Sequence, residues 1–124
     1  MANFQKVYFD LNSSDLNDES RAALDENISI MLKESNLSIE IQGHADERGT
    51  TEYNIALGQR RADSVKQYLL TQGVPLSAVE TVSYGEERPV VSGSSEEAWS
   101  QNRRAVITIF INIKISIKII STKC

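Results

Sequence analysis

The sequence predicts a two-layer α/β (α+β) sandwich, a small sheet carrying two main helices on one face. Three observations lead there. Segments with apolar residues at every second position exchange along the chain with segments of helical period. The order reads β-α-β-α-β, then a loop with a short helix, then β. The length, 124 residues, suits one compact domain and not two. Strands alternating with helices imply right-handed crossovers, which bring both helices to the same side of the sheet.

Lys6 to Leu11 is a β-branched and aromatic run that ends in the turn residues Asn12-Ser13-Ser14-Asp15, so it predicts the first strand. Leu24, Ile28, Met31 and Leu32 then fall on one helical face. The spacing predicts a helix over 18–35, with Asn17 as N-cap, Asp18 and Glu19 in the first turn and Asn36 as its end. Leu37 to Gln42 alternates and predicts a half-buried strand, and Gly43 to Thr51 is a polar loop with glycines, Gly43 and Gly49, toward both ends. Helical period returns over 52–72, where Leu57, Val65, Tyr68 and Leu69 mark the apolar stripe and Gly73 and Pro75 end it. Glu80 to Tyr84 predicts the third strand. The spacing of Ser94 and Glu97 is that of a capping box opening a short helix through Trp99, and Arg104 to Phe110 predicts the fourth strand.

The tail differs in kind. Isoleucine occupies positions 107, 109, 111, 113, 115, 117 and 119, a strict period of two. As one strand, 104–120 would span about 55 Å at ~3.3 Å per residue, against ~17–20 Å for an ordinary strand. Such a strip must fold back, pair with another chain or remain an adhesive edge. The boundaries expected are a domain over 1–110 and an isoleucine-rich extension over 111–124.

Composition removes several classes of function. The chain has no run of about 18 apolar residues, so no transmembrane helix is expected, and its first ten residues do not read as a signal peptide. Its single cysteine, Cys124, excludes zinc sites built on cysteine pairs, and no cofactor is expected. The net charge of −4 hides a split: 8 Lys/Arg against 17 Asp/Glu through Glu97, hence −9, and five Lys/Arg without an acid from Ala98 onward, hence +5. An acidic main body argues against nucleic acid as partner.

The chemistry concentrates in Gly43-His44-Ala45-Asp46-Glu47-Arg48-Gly49-Thr50 and the helix that follows. Arg61 shares the stripe of Leu57, Val65 and Leu69, so a charge points inward, while Arg60 points elsewhere. A guanidinium keeps its proton in a protein, so an inward Arg61 requires an acid or an anionic ligand. Asp46 is the candidate in the loop. Two readings stand side by side at this point: the pair clasps a zwitterion, ammonium on Asp46 and carboxylate on Arg61, or the two residues only pair with each other and hold the loop. His44 is a weak candidate as a base or metal ligand, lacking a second ligand helix. Arg103-Arg104 reads as a solvated strand start, and Tyr84 and Trp99 as packing residues.

These strings, together with Val7-Tyr8-Phe9-Asp10, Tyr53-Asn54, Leu57-Gly58-x-Arg60-Arg61-Ala62, Ser83-Tyr84-Gly85 and Asn102-Arg103-Arg104-Ala105, resemble the OmpA-like peptidoglycan-binding family, nearest to its peptidoglycan-associated lipoprotein branch. The resemblance covers roughly residues 5–110. It implies a βαβαβ-β domain with a four-stranded mixed sheet, non-covalent binding of the diaminopimelate-containing stem peptide, and no catalysis. By resemblance Asp46 and Arg61 grip the diaminopimelate centre, and Asn54, Leu57, Phe9, Asp10 and Arg104 serve as pocket wall and orienting contacts. Arg61 is expected to be replaceable without loss of the fold. The resemblance also implies the periplasmic face of the outer membrane, a lipid anchor carried by a parent protein only, a soluble chain, and a periplasmic β-propeller partner of the Tol system. A Tol-partner scaffold and, less favoured, a cell-wall hydrolase using His44 and Asp46 are the alternatives. Two departures stand out: Asn12 replaces an acid usual in the branch, and the tail has no counterpart, leaving self-association as its expected role.

Overall fold

The computed structural model describes residues 2–33 and 36–111, with side chains over 5–33 and 36–110. Four strands, β1 (Ala2–Tyr8), β2 (Leu37–His44), β3 (Val79–Gly85) and β4 (Arg104–Ile111), form one sheet in the order β1-β4-β2-β3. β4 is antiparallel to both β1 and β2, whereas β2 and β3 are parallel. β1 and β2 therefore run the same way with β4 between them, a mixed sheet. Helices α1 (Asp18–Lys33) and α2 (Thr51–Thr71) join β1 to β2 and β2 to β3, and α3 (Glu96–Asn102) precedes β4.

The period-two pattern explains which face is covered. Val7, Ile39, Ile41, Ala105, Ile107 and Ile109 point to one side and meet Leu24, Ile28 and Met31 of α1 and Ala62, Val65 and Leu69 of α2 in a single core. Burial of each large aliphatic side chain contributes about 1.5–3 kcal/mol, so this one layer supplies most of the favourable term. Leu32, read from its spacing as part of the inward face, is half-exposed because it flanks the contact stripe instead of lying on it.

Boundaries shift where tertiary contacts recruit backbone groups. β1 stops at Tyr8, not Leu11, since the Phe9 and Asp10 carbonyls accept from Arg103 and Arg61 and leave the ladder. The N-cap of α1 is Asn17 as expected, its Oδ1 accepting from the Ser20 N–H at 2.8 Å. The expected end of α1 at 34–35 lies outside the described residues. The N-cap of α3 is Ser95, not Ser94, because the Ser94 hydroxyl donates to Glu47 instead.

One crossing fixes α2 against the sheet. A Cβ on Gly43 would stand 1.6 Å from the Gly58 carbonyl oxygen, and one on Gly58 would stand 2.3 Å from the Ser83 hydroxyl. Absence of side chains at both positions lets α2 touch the end of β2 backbone to backbone, and the Ser83 hydroxyl donates to the Ile55 carbonyl at 2.7 Å. The ends of β1, β2 and β3, the start of β4 and the N-terminus of α2 thus converge at one end of the sheet.

Candidate functional site

The segment from Ala45 to Thr50 sits at that convergence. The Ala45 N–H donates to the Gly85 carbonyl at 2.9 Å, and the Thr50 hydroxyl caps α2 by accepting from the Tyr53 N–H. Asp46, 5% exposed, folds back on its own loop. Its Oδ1 accepts from the Arg48 backbone N–H at 3.0 Å and from Arg48 Nε at 3.1 Å, and its Oδ2 accepts from Arg48 Nη2 at 2.9 Å. Arg103 Nη1 stands 3.7 Å from Oδ2. Burial pushes this carboxyl up, but the Arg48 hydrogen bonds and the Arg48 and Arg103 charges outweigh it and hold the group below its ordinary range. Asn54 pins the loop from the helix side, its Nδ2 donating at 3.0 Å to the Arg48 carbonyl and to Glu86 Oε1.

Arg61 is fully buried, as its place on the apolar stripe predicted. Three backbone carbonyls from two segments, the β1–α1 turn and the end of β2, receive it: Ser13 from Nε at 2.8 Å, His44 from Nη1 at 2.9 Å and Asp10 from Nη2 at 3.0 Å. Its guanidinium also lies 5.2 Å from the Phe9 ring centre. Burial lowers its pKa to about 10, with the nearby Asp46 charge opposing, so it remains cationic at neutral pH. Among the described residues no hydrogen bond or ion pair joins Asp46 to Arg61. The reading in which the two simply pair is therefore not realised: Arg48 takes the acid, and backbone carbonyls take the base.

Both residues nevertheless line one cavity of about 300 Å³, together with Asn54, Leu57, Arg48 and Tyr53. Asn12 also borders it, with φ of 56° and its Oδ1 accepting from the Tyr53 hydroxyl at 3.2 Å. Four expected site residues, Asp46, Arg61, Asn54 and Leu57, are thus brought together. Phe9 lies buried beneath the Arg61 guanidinium, and Asp10 serves through its carbonyl while its side chain is exposed. Arg104 is not among the cavity's walls; it is buried at the start of β4, donating to the Arg88 carbonyl at 3.0 Å.

Arg103-Arg104 is not the solvated strand start that its charge suggested. Both residues are buried, and Arg103 donates to the Phe9 carbonyl at 2.8 Å and to Glu96 at 2.9 Å. Sequence reasoning also missed Arg48 and Tyr53 at the cavity. The available signal for Arg48 was its two-residue separation from Asp46, the reach of an Asx-type turn. Tyr84 and Trp99, read as packing residues rather than stacking platforms, are only partly buried and each carries a guanidinium on its ring: Arg88 lies 3.7 Å from the Tyr84 ring centre and Arg48 3.9 Å from that of Trp99.

His44 is 1% exposed, stacks on Tyr84 with ring centres 5.6 Å apart, and donates from Nε2 to Gln42 Oε1 at 3.3 Å. Burial, then the Arg104 and Arg88 charges, lower its pKa to about 4. It does not line the Asp46–Arg61 cavity. Among the described residues no group of three or more His, Cys, Asp or Glu is placed to hold a metal ion, and no helix is long and apolar enough to cross a membrane.

This chain belongs to the OmpA family, whose sequence model matches residues 8–103. Within that class, several relatives are named peptidoglycan-associated lipoprotein. A peptidoglycan-associated lipoprotein of Pseudomonas aeruginosa is 53% identical over 97 residues, which are 78% of this chain and 57% of that protein. One from Rhizobium meliloti is 45% identical over 104 residues, 84% of this chain and 59% of that protein. The chain thus spans less than two thirds of the length of these relatives. The crystal structure of the peptidoglycan-associated lipoprotein from Burkholderia pseudomallei superposes with a TM-score of 0.83 at 42% identity, covering 86% of this chain and 90% of that one.

Proposed function

We propose that this domain binds peptidoglycan without cleaving it, taking the zwitterionic end of a diaminopimelate-containing stem peptide into the Asp46–Arg61 cavity. The observation that carries the reading is the cavity itself, where one buried carboxylate and two guanidinium groups, Arg48 and Arg61, line a space of about 300 Å³. A ligand offering an ammonium and a carboxylate a few ångströms apart complements these walls. The three carbonyl bonds of Arg61 use three of its five N–H donors, leaving two for a carboxylate. His44, buried, neutral and away from the cavity, is poorly suited to general base catalysis there, which favours a binding module over a hydrolase.

Asp46→Ala removes the only carboxylate wall that the reading assigns to the ammonium. One lost charge-assisted contact of about 1.5–3 kcal/mol weakens binding roughly tenfold or more. Sedimentation with purified diaminopimelate-type sacculi measures this, and retention equal to that of the parent chain would reject the assignment. The names of the relatives further support a lipoprotein as the parent; that its lipid anchor holds this domain at the periplasmic face of the outer membrane, with a Tol-system β-propeller as protein partner, is proposed on the family resemblance. For the extension we propose association between copies. The β4 register ends at Ala2↔Phe110 and Leu37↔Ile111, while the isoleucine alternation continues in the sequence to position 119. Residues 112–124 themselves lie outside the described residues.

A further inference from the structure

In this structure the carboxylate meant for the ligand is already occupied. Asp46 has four acceptor sites, and Arg48 fills three of them through its backbone N–H, Nε and Nη2. Arg48 Nη1 has no hydrogen-bond partner among the described residues. The guanidinium rests on the Trp99 ring at 3.9 Å, and the Trp99 Nε1–H donates to Glu47 at 3.1 Å. Arg48 therefore keeps a second support that does not depend on Asp46.

From this geometry we infer that Arg48 is a specificity-determining residue that works by exchange of ion pairs. The inference rests on the peptidoglycan reading given above. An entering ammonium takes Asp46 from the Arg48 guanidinium, which pivots on Trp99 and closes on the ligand's carboxylate. One ion pair opens and two form, so a ligand bringing both groups strands no charge. A ligand bringing only the ammonium, as the side chain of a lysine-type stem does, frees a guanidinium and offers it nothing in return. Arg48 thereby turns a site that any ammonium could enter into one that demands a carboxylate beside it. Arg61 is less able to impose that demand, since three carbonyls already hold it.

The test compares the full chain with Arg48→Met and Arg48→Lys, titrating soluble muropeptides of the diaminopimelate and lysine types by calorimetry. In the parent chain the diaminopimelate type binds tighter. In Arg48→Met the lysine type gains, because the Arg48 guanidinium no longer competes for Asp46 and only the more distant Arg103 remains beside it, and the affinity ratio falls by about tenfold, the worth of one charge-assisted contact. Arg48→Lys keeps the charge but loses the bidentate edge, so its ratio falls by a smaller factor; it also serves if the methionine variant does not fold. An unchanged ratio, or an equal loss for both muropeptides, overturns the exchange while leaving the binding reading intact. Absence of binding by the parent chain overturns the binding reading itself.

Discussion

At the scale of single residues, the cationic groups divide by what they touch. Arg61 was read from its spacing as an inward charge awaiting a partner, and as replaceable without harm to the fold. Its three carbonyl partners change that second expectation. Removing the guanidinium takes a donor from all three carbonyls; Asp10 keeps the Ser13 N–H at 3.1 Å, while Ser13 and His44 lose theirs at about 1–3 kcal/mol each. Arg61→Met should therefore lower stability by about 3 kcal/mol or more, measured by urea denaturation, and loss of wall binding in that variant would report unfolding as much as lost contact. His44 sets a pH dependence. Its folded pKa of about 4 lies below the ordinary 6.5, so the folded state resists the proton that the unfolded chain accepts. Stability is then complete above about pH 6.5, declines as pH falls toward 4, and levels off below. Between pH 7 and pH 5 the loss should be about 2 kcal/mol, and His44→Gln should flatten that limb of the curve. Asp46, with its depressed pKa, adds acid sensitivity at still lower pH, below the ordinary carboxylate value.

Among elements, the junction of β2 with α2 decides the shape of the cavity. The loop from Ala45 to Thr50 is short, and its two ends are fixed by the Gly43–Gly58 contact on one side and the Thr50 cap on the other. Gly43→Ala would place a methyl 1.6 Å from a backbone oxygen that no rotamer change can move. The helix must lift from the sheet, so destabilisation should reach the upper part of the ~1–3 kcal/mol range for overpacking, or exceed it. A thermal melt shifted by less than a few degrees would show that the crossing is softer than its geometry implies. The apolar stripe of α2 and the alternation of β2 were plain in the sequence. The closeness of their backbones was not, because it depends on two glycines fifteen positions apart meeting across the layer.

For the whole molecule, the charge split separates an acidic body from a basic, isoleucine-rich end. β4 is central in the sheet, and among the described residues its pairing with β1 and β2 reaches Phe110 and Ile111. The isoleucine alternation continues in the sequence to position 119, and the association between copies proposed for this extension belongs to the whole chain. Sedimentation velocity should find the full chain associated and a chain truncated after Phe110 monomeric, with wall binding retained in both. Equal sedimentation of the two forms would contradict strand-mediated association. The truncation also tests whether the domain ends near Phe110.

What the sequence by itself determined was the order and type of the elements, the inward stripe of each helix, and the presence of a buried cation on α2. Periodicity and capping are local, and a pattern of 2.0 or 3.6 residues survives whatever the chain later packs against. Tertiary structure alone decided who partners whom. Arg48 rather than Arg61 holds Asp46, Arg103 and Arg104 go inside, and Arg61 stitches carbonyls of residues 10, 13 and 44. Apart from the Asp46–Arg48 pair, which is local, those pairings depend on which strand ends meet, and spacing along the chain carries no such information.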